Sequence, residues 1–308
     1  MTTIPNSPHA RDIAALLHTQ TNTGEHEQVG PLILDEGKGI YVKDLEGKEY
    51  LEGMAGMWCT SLGFSNERLV DAAIAQMRKL PTYHTFFGRS HMAAIELAEK
   101  LLSIAPVPMS KVWCANSGSE ANDHMVKFVW YYNNACGRPE KKKILGRLEG
   151  FHGTAVSSGS LTGLTRTHKD FDLPIARFLH TGSHHYYGHA RNGESEEAFA
   201  TRRAEELEQL ILDEGPETIA AFVAEPVMGA GGAIPPPATY WEKIQAVLRR
   251  HDVLMVAAEI ITGFHRTGNT FACQTYGIEP DIMVVAKQLS SAYMPISAVT
   301  VSYTHLTL

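Results

Sequence analysis

Pro280-Asp281-Ile282-Met283-Val284-Val285-Ala286-Lys287 is a turn dipeptide, a run of apolar residues and a closing lysine. A continuous apolar run of this length is the pattern of a strand covered on both faces, as in a parallel sheet. Ligands bind such sheets outside the carboxyl ends of the strands. Lys287 therefore falls at the functional edge, with its stem in apolar surroundings. Desolvation lowers an amine's pKa, and an unprotonated amine attacks a carbonyl carbon to form an imine. An isolated lysine at a strand end more often snorkels into water. The rest of the sequence decides between the two.

Working outward, residues 111–115, 143–146, 219–224 and 253–258 also read as strands, and 297–302 as the last one. Between them, 119–135, 196–212 and 238–250 carry apolar residues at helical spacing. Strands alternating with helices of this length predict parallel pairing and an α/β domain. The beginning of the chain differs. Residues 32–34, 39–43 and 49–51, with a turn at Leu45-Glu46-Gly47, predict an antiparallel meander. Helical patterns follow at 66–79 and 92–103, and 137–143 and 190–200 read as polar surface loops.

The 308 residues are 44% hydrophobic and 20% charged, an ordinary globular composition. A net charge of −7 gives no electrostatic reason to expect nucleic acid or an anionic membrane as a partner. The stretch Met1–His9 lacks a basic region followed by an apolar core, and no apolar run is long enough to span a bilayer. A cytoplasmic enzyme is the expected setting. Cys59, Cys114, Cys136 and Cys273 are far apart and form no CxxC pair, which argues against a zinc site or a disulfide framework. His184-His185-Tyr186-Tyr187-Gly188-His189 looks like a metal cluster, but it lies in a Gly- and Ser-rich segment without carboxylates nearby in sequence. It reads as a loop, and no metal is expected.

Four further stretches carry chemistry. Asn116-Ser117-Gly118-Ser119-Glu120-Ala121-Asn122 joins a strand to a helix, and Ser117 and Glu120 have capping-box spacing. Helix N-terminal amides beside Gly118 and the Ser119 hydroxyl make a pocket suited to phosphate, although alone the motif reads equally as a plain capped helix. It is neither a Walker A loop nor a G-x-G-x-x-G fingerprint. Phe151-His152-Gly153 places an aromatic in a strand-end loop, where it can stack on a flat ring or fill a core. Glu225 ends an apolar strand that Pro226 stops. In the strand before Glu259, alternation puts residues 256, 258 and 260 on one face and 257 and 259 on the other.

Together with Glu225-Pro-Val-Met-Gly229, Glu259-Ile-Ile-Thr-Gly-Phe264, Arg266-Thr-Gly268 and Lys287, these strings resemble the class III aminotransferases. Gly56-Met-Trp58, Tyr83-His-Thr-Phe-Phe87 and Gln288-Leu-Ser-Ser-Ala-Tyr-Met294 are most similar to the subgroup acting on omega-amino acids or on amines with pyruvate. The resemblance covers residues 10 to 301. It implies the fold-type-I pyridoxal phosphate architecture: a large α/β domain with a mostly parallel central sheet over 61–302, and the N-terminal part of a small α+β domain over 1–60. It implies pyridoxal 5'-phosphate as cofactor, and a homodimer. An amine donor and a keto-acid acceptor such as pyruvate would be the substrates. Lys287 resembles the family's Schiff-base lysine and proton carrier. Ser117, Gly118 and Ser119 match the phosphate-binding turn, Phe151 the aromatic that stacks on the pyridine ring, and His152 a cofactor-binding position beside it. Ile260 matches the apolar residue under the other ring face, and Glu225 a carboxylate at the ring edge. Trp58, Phe86 and Phe87 match residues that shape the substrate pocket. The same fold also serves racemases, aminomutases and decarboxylases, and a catalytically silent, cofactor-binding remnant is a further reading.

Three departures qualify the resemblance. The family pattern has Asp-Glu where this chain has Ala258-Glu259, and that aspartate keeps the cofactor's ring nitrogen protonated. His265 stands where a small residue is usual. Residues 303–308 do not follow the family, so a foreign tail and a missing C-terminal small domain are expected.

Overall fold

The computed structural model describes residues 4–302, so the tail expectation for 303–308 lies outside the described residues. The chain forms two compact units, one ending at Pro81 and one starting at Thr82. The boundary expected at residue 60 falls inside the first unit. Phe64 bridges Gly39 in antiparallel fashion, and the Ser65 hydroxyl donates to the Gly37 carbonyl at 2.6 Å, tying the sixties to the strands before them.

In the first unit, β1 (Leu34–Lys38), β2 (Tyr41–Asp44) and β3 (Glu49–Leu51) form the expected antiparallel meander, with β1 starting at Leu34 rather than Leu32. Asp44 builds the turn between β2 and β3. Its carboxylate accepts from the backbone amides of Glu46 and Lys48 and from the Tyr50 hydroxyl. Two short helices, Pro8–Ala15 and Thr23–Val29, are capped by Ser7 and Asn22. Val42, Asp44 and Cys59 are the buried residues among 4–81.

The second unit is built on seven strands: β4 (Lys111–Ala115), β5 (Lys143–Arg147), β6 (Phe178–Thr181), β7 (Ile219–Ala224), β8 (Leu254–Ala258), β9 (Ile282–Val285) and β10 (Ser297–Val301). Their order is β4-β10-β9-β8-β7-β5-β6. β6, β5, β7, β8 and β9 pair in parallel, and β10 inserts antiparallel between β9 and β4. Every residue of β7, β8, β9 and β10 is buried, which explains why the opening run shows no polar alternation.

Alternate residues of these strands feed two cores. Phe222, Ala224, Met255, Ala257 and Met283 pack on one face with the helices Glu196–Glu214 and Tyr240–Arg250. Ala221, Val223, Val256, Ile282 and Val284 pack on the other with the helix Gly118–Ala135. A fully buried aliphatic or Phe side chain contributes roughly 1.5–3 kcal/mol of transfer free energy. A sheet buried on both faces is therefore a stiff platform for whatever its carboxyl edge carries. β6 escaped the sequence reading because its apolar run is only Phe178-Leu179 before His180.

Candidate functional site

The helix Gly118–Ala135 starts at the carboxyl edge of the sheet. Ser117 caps it, its hydroxyl accepting from the Glu120 amide at 3.1 Å. The Glu120 carboxylate returns to the Asn116 amide at 2.8 Å, one residue ahead of the usual capping-box target. A Cβ added at Gly118 would meet Ile260 Cδ1 at 3.1 Å and Ala286 Cβ at 3.7 Å, so the helix start lies against the ends of β8 and β9. The Ser119 hydroxyl accepts from the Thr154 amide at 3.1 Å. Gly153, with φ +140°, lets the loop after β5 pass this close, since a Cβ there would lie 2.5 Å from Ser119 Oγ. An 18-residue helix presents free amides and the positive end of its dipole at this point, the arrangement that takes a phosphate.

Glu225 ties the loops of this edge together. Its two carboxylate oxygens accept from the amides of Phe151 and Gly229, each at 2.9 Å. Burial pushes its carboxyl pKa up, partly offset by those two amides and by the charges of Arg147 and Lys287. Lys287 is thus within electrostatic reach of Glu225. Arg147, which the sequence reading left outside the site, is fully buried. Its guanidinium donates to the Glu225 carbonyl at 2.5 Å and stacks over Tyr240 and Trp241. The available signal was a charged residue closing an apolar strand, because arginine is rarely buried without partners. His152 is also buried. Its carbonyl accepts from the Asn122 amide group at 2.6 Å, its backbone N–H donates to Thr162, and its Nδ1 has no partner among the described residues. Desolvation lowers its pKa to about 3, so its imidazole is neutral.

Register fixes which side chains share a face. Val223 pairs with Val256 and Ala224 with Ala257, so Glu225 and Ala258 are next in register, on the side of the helix Gly118–Ala135. Ala258 is buried there. Glu259 falls on the opposite face. Its carboxylate accepts from the Thr262 hydroxyl at 2.6 Å and the Cys273 amide at 2.7 Å. Beyond β9, Ala286 is extended, and Lys287 takes a left-handed φ of 49° at the start of a short 3-10 turn. That turn, not strand alternation, aims the lysine.

The structure therefore gathers Ser117, Gly118, Ser119, Phe151, His152, Glu225, Ala258, Ile260 and Lys287 at one edge. The expected pocket residues divide between the two units. Trp58 belongs to the first unit, and Phe86 and Phe87 are 65% and 91% exposed. His265 has φ 70°, a backbone that accounts for the small residue expected there. The histidine segment needs correction. Tyr186–His189 is a short helix rather than a loop, and a carboxylate far off in sequence, Glu149, lies against His185 and His189. His184 is instead buried, with Arg147 at its Nδ1 and the Ile234 carbonyl at its Nε2.

The family described as aminotransferase class-III matches residues 23–305. Gamma-aminobutyrate transaminase 1, mitochondrial, of Oryza sativa subsp. japonica is 54% identical over 89% of this chain and 53% of its own length. An omega transaminase of Pseudomonas jessenii, solved in complex with PMP, superposes with a TM-score of 0.96 at 58% identity, over 97% of this chain and 66% of that one. A solved transaminase with L-ala is 56% identical, with a TM-score of 0.94, over 98% of this chain and 68% of that one. The chain spans about half the length of the curated relatives it matches. With the phosphate-type helix start, the buried Glu225 and the strand-end Lys287 at one sheet edge, and with this match over most of its length, the chain belongs to the class-III aminotransferase family.

Proposed function

We propose that this chain carries the cofactor-binding part of a pyridoxal phosphate-dependent aminotransferase, one that moves an amino group from an amine or omega-amino acid to a keto acid such as pyruvate. The supporting observation is the convergence of a helix start, a buried carboxylate and a lysine on one edge of a rigid sheet. The edge fits the cofactor at two of its ends. Ser117, Gly118 and Ser119 form a cradle that a Cβ at residue 118 would fill, and Lys287 follows Ala286, whose Cβ lies against that position. At the ring-nitrogen end the fit is poorer, because Ala258 offers neither charge nor acceptor. When bound, pyridoxal phosphate supplies an electrophilic carbon and an electron-accepting ring. The chain's own residues would do the rest. The helix amides and Ser119 would hold the phosphate, Phe151 and Ile260 would flank the ring, and Glu225 would hold the Phe151 loop in place. Lys287 Nζ would carry the proton between substrate and cofactor carbons. The relatives named for gamma-aminobutyrate and L-ala support an omega-amino acid donor and the alanine–pyruvate pair.

Borohydride reduction of the chain mixed with pyridoxal phosphate, followed by peptide mapping, tests the binding site. The label is expected on Lys287, and a label elsewhere or none overturns the reading. Ala258 favours a second reading, a chain that binds the cofactor without turnover. Labelled Lys287 without nitrogen transfer from amine to pyruvate would select it. We also propose a homodimer, to which the exposed Phe86, Phe87 and Met92 would contribute apolar contact, and a cytoplasmic setting. Sedimentation and cell fractionation test these.

A further inference from the structure

Glu149, His185 and His189 place a carboxylate oxygen, an Nδ1 and an Nε2 within 4.8 Å of one another. Glu149 Oε1 is 2.9 Å from His189 Nε2, and its Oε2 is 4.0 Å from His185 Nδ1. Ligand distances of about 2.1 Å around a tetrahedral ion put two donors roughly 3.4 Å apart, so these spacings bracket what one ion requires. The carboxylate is already aimed: the Ser183 hydroxyl donates to Oε2 at 2.6 Å, and the same hydroxyl accepts from the His185 amide. Burial raises the Glu149 carboxyl pKa, but the hydrogen bonds from Ser183 and His189 and the two imidazoles outweigh it and hold it low. All three groups are partly exposed, so an ion has a route in from solvent and water can complete its shell.

We propose that this cluster is a binding site for a divalent transition metal, with zinc as the ion that two imidazoles and one carboxylate suit. The site joins the loop after β5 to the segment after β6 that ends in the short helix Tyr186–His189. Glu149 lies two residues before Phe151, so the ion would staple the segment that Glu225 anchors from the other side. The proposal rests on this loop geometry and not on the cofactor reading. A second group, Asp12, His18 and His26, lies in the first unit. There both Nε2 atoms hydrogen-bond the same carboxylate oxygen, at 2.8 and 3.1 Å, with no outer partner aiming it among the described residues. It is the natural competitor.

Titration calorimetry of the full chain, free of a histidine tag and stripped with chelator, with zinc chloride tests the proposal. One equivalent is expected to bind, and His189→Ala and Glu149→Gln should each weaken it at least tenfold. Ser183→Ala should weaken it about tenfold by releasing the carboxylate. His18→Ala should leave it unchanged. His189 is exposed enough for its removal to spare the fold, which melting curves would check. If a variant does unfold, cobalt absorption showing imidazole and carboxylate ligands, kept in His18→Ala, supports the site, and its loss in His18→Ala overturns it. No stoichiometric binding, binding indifferent to both His189→Ala and Glu149→Gln, or binding lost only in His18→Ala would each overturn it.

Discussion

β7 and β8 lie side by side and parallel, and each hands a buried glutamate to the carboxyl edge, yet the two do different work. Glu225 holds the loops at Phe151 and Gly229 and sits within reach of Lys287. Glu259 holds Thr262 and Cys273 on the far face. Burial raises both carboxyl pKa values. The difference is one residue of register. Continuing the register past Ala224 and Ala257 sets Glu225 level with Ala258, not with Glu259, so pleat alternation assigns one carboxylate to the site and the other to the scaffold. Chemical type and burial alone would have made them equivalent.

The strongest way to break this comparison is to give β8 a carboxylate on the site's face. Ala258→Asp is expected to raise turnover of an amine with pyruvate by about one to two orders of magnitude, since a charge-assisted contact contributes about 1.5–3 kcal/mol. Steady-state rates of the two chains, each saturated with pyridoxal phosphate, would show it. Equal rates would mean that position 258 does not serve the cofactor.

The reverse change sharpens the scaffold half. Glu259→Ala strands the Thr262 hydroxyl and the buried Cys273 amide, which should cost roughly 3 kcal/mol of stability. Urea unfolding would report the loss, while the absorbance of bound cofactor should keep its shape. A changed spectrum with unchanged stability would reassign Glu259 to the site.

Much of this was legible in the sequence. The apolar run before Lys287 gave the parallel sheet because its residues are buried on both faces, and the strings around Gly118, Phe151 and Glu225 do meet at one edge. The facing of Glu259 also followed from period-two alternation. What stayed hidden depends on long-range approach. Arg147 reaches the Glu225 carbonyl across separate strands, and Glu149 reaches His185 and His189 from another loop. The left-handed φ of Lys287 has no sequence signature, since nothing but its place in the turn requires it.

A smaller effect separates His152 from Glu225 by pH. His152 has its pKa lowered to about 3 from 6.5, so the unfolded chain binds more protons between those values. Its stabilising contribution is complete above pH 6.5 and is lost as pH falls toward 3, amounting to about 2 kcal/mol by pH 5. Glu225 works in the opposite sense. Its raised pKa contributes stability that is present below 4.5 and lost as pH rises through the folded value. Melting temperatures at pH 5 and pH 7 should therefore differ less in His152→Leu than in the unaltered chain. An undiminished slope would show that His152 is not the group responsible. His184, also held neutral by burial, would supply the remaining slope.

The smallest expected change lies away from both strand ends. Phe87 is 91% exposed with φ 55°, and its ring meets Phe86 at 6.2 Å between centroids. A side chain so solvated contributes little to folding, so Phe87→Ala should move stability by less than about 0.5 kcal/mol. A large exposed aromatic has its value in what it meets, and the proposed dimer and pocket both place that encounter outside this single fold. Phe87→Ala should therefore weaken self-association, or change which amines are accepted, with the melting curve unmoved. A large fall in melting temperature would instead make Phe87 part of the scaffold, as Glu259 is, and would remove the reason to set it beside Glu225.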